Sequence, residues 1–322
     1  TPAAKMRREA ICEALRAMAL SFINLKELPQ IKHRITKITQ LINLLLINVG
    51  KGHKTEPDRG NFFILQTYIG KLHTMNKVEL KKIDTRAPKD LDKKELKEKT
   101  EKILVELDEL QNLLFAEGKH SILIVIQGMD GSGKDGVIRN VLGNMNPQGV
   151  TVKSYKAPTP EELSHDFLWR IHQHAPGKGM IQVFNRSHYE DILVTRVHKW
   201  CDDETAHKRM EAINDFERLL QKHNNTHILK FYLHVSPEEQ HERLSERMKD
   251  PAKMWKYNDK DFEEAKLWDE YMKMYEDCFN NCNTPPWTVV PSDQNWYKEY
   301  IIASQLYELL KNLDMQFPGL KK

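Results

Sequence analysis

The chain has 322 residues, 30% charged and 40% hydrophobic, which suits a soluble globular protein of one large α/β domain or two smaller ones and excludes a disordered polypeptide. A net charge of +3 is too small to name a polyanionic partner, so any such site must come from local clustering of Lys and Arg. The four cysteines, Cys12, Cys201, Cys278 and Cys282, are too sparse for a disulfide framework and point to a reducing compartment, the cytoplasm.

The most apolar run, Ile38 to Val49, has twelve residues, short of the ~20 that a membrane-spanning helix needs, so no membrane partner is expected. Residues 1–74 offer no series of strands and helices that closes into a domain. Residues 34–50 suit at most one short helix, and Gly50 to Asn61 reads as loop. The chain starts at Thr1 and lacks a clean signal peptide, whereas Met75 opens MNKVELKKID like an ordinary N-terminus. Residues 1–74 are therefore read as an extension outside the functional fold, with a short interaction arm as the competing reading. The functional domain is 75–322.

From Met75 the signals become regular. Asp92, with Glu95 three residues on, resembles a capping box. Leu96, Ile103, Leu107, Leu110 and Leu114 then recur at helical spacing until Gly118. Ser121 to Ile126 (SILIVI) is a short apolar run of the kind buried in a parallel sheet. A Gly-rich loop follows, then a helix to about Asn144. Strands are expected at 150–155, 180–184, 227–235 and 287–290. They alternate with a helix over 160–175, two helices across 187–222, one from Pro237 and one near 296–313. Cys278 and Cys282 are four apart on an expected helix without two further ligands nearby, so packing is expected of them. The alternation means a mainly parallel sheet with helices on both faces, an α/β fold.

The loop QGMDGSGKDG, Gln127 to Gly136, nearly matches G-x-x-x-x-G-K-[ST]. Strand, Gly-rich loop and helix is the context such a motif requires. The backbone N–H groups of Gly131, Ser132, Gly133 and Lys134 can wrap phosphate oxygens, the helix adds its N-terminal dipole, and Lys134 supplies a charge. Asp135 stands where the Mg²⁺-binding hydroxyl is usual. Asp130 can orient Mg²⁺, directly or through water, or can interact with an incoming acceptor. Asp135 is either a favourable charge at the helix start or a group that shapes the acceptor side.

A second cluster follows the strand ending at Phe184. Asn185 takes the place of the metal-binding Asp usual there, and so is read as a hydrogen-bonding residue. Arg186 can grip a phosphate in bidentate fashion. Glu190 and Asp191 read as helix-start charges. In the third piece, Ser236 looks like an N-cap before Pro237. Arg243 and Arg247 are four apart on one helix face, and Lys253 and Lys256 lie in a segment beyond it. Such a basic helix and loop, about 240–262, would suit a lid over phosphates.

Together these pieces resemble the polyphosphate kinase 2 family, over about Leu91 to Asp314. The resemblance rests on GMDGSGKDG, YKAPTPEELSHDFLWR (155–170), FNRSHYEDILVTRVH (184–198) and SPEEQHERLSERMKDPAKMWK (236–256). It implies a P-loop kinase-like three-layer fold with a helical lid. It also implies Mg²⁺-dependent, reversible transfer of a terminal phosphoryl group between inorganic polyphosphate and an adenine nucleotide. The Gly-Lys-Asp-Gly form at 133–136 is similar to the subgroup that phosphorylates both AMP and ADP. On this resemblance Lys134 holds the phosphate chain, and Arg186, Arg243 and Arg247 stabilise transition-state charge. Asp130 places the metal, Asp166 and Arg170 on one helix face contact the acceptor nucleotide, and Lys253 and Lys256 follow the polyphosphate. His165, His188 and His198 are expected to be structural. The family implies a homo-oligomer, a dimer or tetramer. The rivals are an ATP-dependent nucleoside monophosphate kinase of the thymidylate-kinase type and a non-catalytic P-loop module. Nucleic-acid binding has little support, given the weak net charge and the absence of a recognised module.

Overall fold

A computed structural model describes residues 77–320, and the expectation for residues 1–74 lies outside the described residues. The described chain opens with a strap. The Val78 N–H donates to Asn280 Oδ1 at 3.0 Å and the Leu80 N–H to Glu276 Oε1 at 2.7 Å. Leu80 is buried in a 3-10 turn, Leu80–Lys82.

Helix α1 (Lys93–Glu117) begins at Asp92, whose carboxylate accepts the Glu95 N–H at 2.8 Å. The return half of the expected capping box is replaced by a surface pair, Glu95 to Lys99 at 2.7 Å. Strand β1 (Ser121–Gln127) is buried throughout. After the Gly-rich loop, α2 (Lys134–Val137) widens into a π-helical turn, Ile138–Leu142, and β2 follows (Val150–Ser154).

The single helix expected over 160–175 is instead two short ones, α3 (Pro160–Leu163) and α4 (Trp169–His172). Small polar side chains break it by taking backbone partners. The Ser164 hydroxyl donates to the Glu161 carbonyl at 2.7 Å, and Asp166 accepts the Leu168 N–H at 2.9 Å. Beyond β3 (Ile181–Asn185), the two helices expected across 187–222 become a 3-10 turn, His188–Ile192, a single turn α5 (Val194–Val197) and one long helix α6 (Asp203–Asn224). Asp202 caps α6 at the Thr205 N–H, 2.7 Å away, which places its start well after 187. Strand β4 (Thr226–His234) leads through the Ser236 cap into α7 (Pro237–Lys249). A 3-10 turn at Met254–Lys256, then α8 (Lys260–Ala265) and α9 (Trp268–Asn281), precede β5 (Trp287–Pro291) and α10 (Asn295–Lys311). Among the described residues no helix is long and apolar enough to cross a membrane.

All strand pairs are parallel, in the order β2-β3-β1-β4-β5. β1 is central and alternates between two cores. Ile122, Ile124 and Ile126 pack with Leu107 and Leu114 of α1, Val137 of α2 and Ile302 and Leu306 of α10. Leu123 and Val125 pack on the opposite face, with Ile213 and Phe216 of α6 and Tyr275, Cys278 and Phe279 of α9. The result is three layers, with Cys278 a packing residue as expected. The carboxyl ends of β1, β3, β4 and β5 point to one edge, where open parallel sheets take ligands.

One charge is sealed in the α6–α9 face. Lys230 Nζ, on β4, donates to Glu217 Oε2 at 2.8 Å, Tyr189 Oη at 2.9 Å and the Cys282 carbonyl at 2.9 Å. Its three donors are thus all used. Burial alone would raise the Glu217 carboxyl. The Lys230 charge and the His188 hydrogen bond reverse that, and it is held below the usual carboxylate range. Removing one partner strands the other charge. Lys230→Ala should lower stability by about 3–5 kcal/mol in urea unfolding, and the double variant Lys230→Met with Glu217→Leu should lose less.

Candidate active site

The loop after β1 needs unusual backbone angles. Gly131 and Gly133 have φ of 81° and 92°, in the region that favours glycine. Its carbonyl oxygens are gripped from behind. Lys134 Nζ donates to the Gly128 carbonyl at 2.7 Å and the Met129 carbonyl at 3.1 Å. Gln240, on α7, donates to the Asp130 carbonyl at 2.8 Å.

Arg243 uses its whole guanidinium in the same way. It donates to Gly131 O at 3.0 Å, Ser132 O at 3.3 Å, Ser292 O and Asp293 O at 2.9 Å, and Glu239 at 2.9 Å. That environment differs from the one expected of a residue facing transferring phosphate. Arg243 ties the loop to the end of β5. Lys298, from α10, also donates to Ser132 O at 3.0 Å.

The front of the loop carries the carboxylates. Asp130 Oδ1 accepts from Arg186 at 2.6 Å and lies 4.0 Å from Lys134 Nζ. Burial works to raise the Asp130 carboxyl, but Lys134 and Arg186 outweigh it and hold it below the usual range. Burial, reinforced by the Arg186 charge, pulls the Lys134 ammonium down to about 8. Arg186 also meets Glu190 at 3.2 Å, and with Asp130 this carboxylate keeps the guanidinium charged against the cost of burial. Arg186 sits at φ 60°, and its N–H donates to the Ile126 carbonyl at 3.0 Å. A non-glycine residue pays ~1–3 kcal/mol there, a strain that recurs at functional sites.

The segment expected to act as a lid meets this cluster through Lys256, and its Arg247 acts on Asp130 by charge. Arg247 pairs with Asp261 at 2.5 Å. Burial raises the Asp261 carboxyl, and the Asp130 charge adds to the rise. Lys256 pairs with Asp135 Oδ2 at 2.5 Å, while Asn185 donates to Asp135 Oδ1 at 2.9 Å. Asp135 is thus the meeting point of helix α2, strand β3 and the lid.

Asp130 through Asp135, Asn185, Arg186, Arg247 and Lys256 therefore lie in one cluster. Lys253 does not join them, because Glu246 holds it at 2.7 Å on the exposed side of the lid. Asp166 and Arg170 do not share a helix face, because the helix is broken between them. Arg170 is buried instead, donating to the Lys156 carbonyl at 3.0 Å and to Asp191 at 3.3 Å. Of the three histidines, His188 is buried, His198 pairs with Glu264 at 2.9 Å, and His165 is exposed and stacks on Trp169 at 4.1 Å.

Three residues escaped the sequence reading: Gln240, Lys298 and Asp293. Asp293 Oδ1 accepts the Ser236 N–H at 2.8 Å, and Oδ2 accepts the Ser236 and Thr85 hydroxyls at 3.0 Å and 2.8 Å. Its one signal was its place just after an expected strand. A planar fork that spans four carbonyls has no ammonium substitute. Arg243→Lys should therefore lower kcat/KM for the phosphate donor by about tenfold or more and speed exchange of the loop amides, as read by kinetics and hydrogen exchange.

A family model described as polyphosphate kinase 2 matches residues 90–318. A protein of Meiothermus ruber named AMP/ADP-polyphosphate phosphotransferase is 47% identical over 214 residues, 66% of this chain and 80% of that protein. A Rhodopseudomonas palustris protein named ADP-polyphosphate phosphotransferase is 41% identical over 226 residues, 66% of this chain and 78% of that one. The crystal structure of a polyphosphate kinase 2 from Arthrobacter aurescens superposes with a TM-score of 0.73 at 40% identity, over 76% of this chain and 89% of that one. A match that spans the loop, the β3 turn and the lid together leaves one assignment: the chain belongs to the polyphosphate kinase 2 family.

Proposed function

We propose that the protein transfers the terminal phosphoryl group of inorganic polyphosphate to AMP and to ADP, giving ADP and ATP, reversibly and with Mg²⁺. The observation that carries this reading is the ionised Asp130 at the front of the loop, bonded to Arg186 and close to Lys134. The similarity to the Meiothermus ruber protein, whose name includes both AMP and ADP, supports the choice of acceptors.

Phosphoryl transfer demands positioning and charge neutralisation rather than covalent chemistry from the protein. Lys134 and the loop N–H groups hold the phosphate chain. Lys134 exchanges its loop carbonyls for phosphate oxygens, a stronger pairing for a buried ammonium. Arg186 and Arg247 flank the transferring group from β3 and from the lid. Asp135 and Asn185 line the acceptor side, and Lys256 brings the lid to them.

The donor set suits Mg²⁺. Among the described residues no group of three or more His, Cys, Asp or Glu could hold a metal. Mg²⁺ usually takes only one or two protein carboxylates and completes its shell with water and phosphate oxygens. Asp130 fits that role, since its bond to Arg186 uses Oδ1 and leaves Oδ2 for the ion. Held there, Mg²⁺ would supply charge neutralisation to the phosphates. A homo-oligomer in a reducing cytoplasm completes the reading.

The test is ATP formation from AMP, and separately from ADP, with Mg²⁺ and long-chain polyphosphate as the only donor. ATP should form from both. ATP from ADP alone overturns the choice of acceptors, and none from either, with phosphorylation of a nucleotide once ATP is supplied, returns the chain to the ATP-dependent rival. Asp130→Asn and Lys134→Ala should each abolish transfer with circular dichroism and melting temperature little changed. A folded, active Asp130→Asn would remove that carboxylate from the mechanism.

A further inference from the structure

Lys298 lies one turn into α10, and its side chain runs beneath the phosphate loop. It is 1% exposed, and its ammonium donates to the Ser132 carbonyl at 3.0 Å and to Asn295 Oδ1 at 2.9 Å. The space it occupies exists because residue 133 is glycine. A Cβ on Gly133 would collide with Lys298 Nζ. Gly133 thus supplies a positive φ and a seat for a buried cation at one position.

The consequence follows from peptide geometry. In a trans peptide the carbonyl of one residue and the N–H of the next point in opposite directions. Lys298 and Arg243 both draw the Ser132 carbonyl to the rear. The Gly133 N–H of the same peptide must then point to the front, where an anion would sit. We infer that Lys298 is a positioning residue for the phosphate chain, setting the direction of the Gly133 N–H through its charged bond to the Ser132 carbonyl. The inference rests on the functional reading above and deepens it, because it concerns how this one loop binds phosphate.

The surroundings make the device sensitive to pH. Burial, then the Arg243 charge from α7, push the Lys298 ammonium down to about 7. Glu299 on its own helix and Glu239 on α7 oppose this, and Lys134 on α2 adds to it. Below that pH the bond to Ser132 is charge-assisted. Above it the amine is neutral and the bond weakens. A phosphate chain across the loop favours the charged form, so binding and protonation reinforce each other.

The test is calorimetric titration of the full chain with tripolyphosphate from pH 6 to 8.5. Lys298→Met should bind about tenfold more weakly than the unaltered protein at pH 6, with the gap closing as pH rises past 7. A merely structural lysine would give a gap that does not change with pH, and that result, or equal affinity throughout, overturns the inference. If Lys298→Met does not fold, Lys298→Arg decides. Its permanent charge should remove the part of the affinity loss centred near pH 7 and leave the part near 8 where Lys134 titrates, and an unchanged profile would sink the idea. Failure of the unaltered protein itself to bind tripolyphosphate would instead overturn the functional reading, and this inference with it.

Discussion

The structure depends on cations holding the carbonyl face of the phosphate loop. Arg243 and Lys298 make three bonds to its carbonyls and the amide of Gln240 a further one, while Lys134 makes two more that phosphate is proposed to replace. Each bond fixes a peptide whose opposite edge is an N–H. A loop rich in glycine has few side-chain contacts of its own and would otherwise lose much of its order. Fixing the peptides beforehand removes that entropic penalty from the binding step, which is where preorganisation acts. The arrangement also explains how two carboxylates fit in a loop proposed to hold phosphate. Behind and beside them stand Lys134, Arg186, Arg247 and Lys256, so Asp130 and Asp135 are charges within a cationic shell.

The sheet makes this possible. Parallel pairing sends the ends of β1, β3, β4 and β5 to one edge, and each end contributes a part: the loop, the Asn185-Arg186 turn, the Ser236 cap of α7 and the Ser292-Asp293 corner. The start of the lid helix is locked to that corner through Asp293 and Arg243. The stretch beyond Arg243, which carries Arg247, Lys256 and Asp261, lacks that anchor.

The sequence exposed what is local. Short runs rich in apolar and β-branched residues marked the strands. The loop, Asn185-Arg186 and the basic helix were legible because each is a contiguous string whose chemistry depends on its neighbours in the chain. The break at Ser164–Asp166 was missed because helical periodicity continued while small polar side chains took backbone partners, a competition that periodicity does not register. Arg243 was placed in the right neighbourhood, but its acceptors are carbonyls 49 to 112 residues away, and no pattern in α7 reveals which side of the loop it meets. Lys298 gave no signal at all. A lysine in the first turns of an amphipathic helix reads as a solvated charge, and only the absent Cβ of a residue 165 positions earlier gives it a buried seat.

The strap before α1 bears on where the working unit begins. The family match starts at residue 90, yet Leu80 is buried in the α9-side core and the Thr85 hydroxyl completes the Asp293 hub that caps the lid helix. A fragment cut at the family boundary would keep every phosphate-loop residue, open a hole where Leu80 packs and leave the lid anchor one donor short. The strap that carries Val78, Leu80 and Thr85 is therefore part of the fold that holds the site, although it lies upstream of the region that the family model matches.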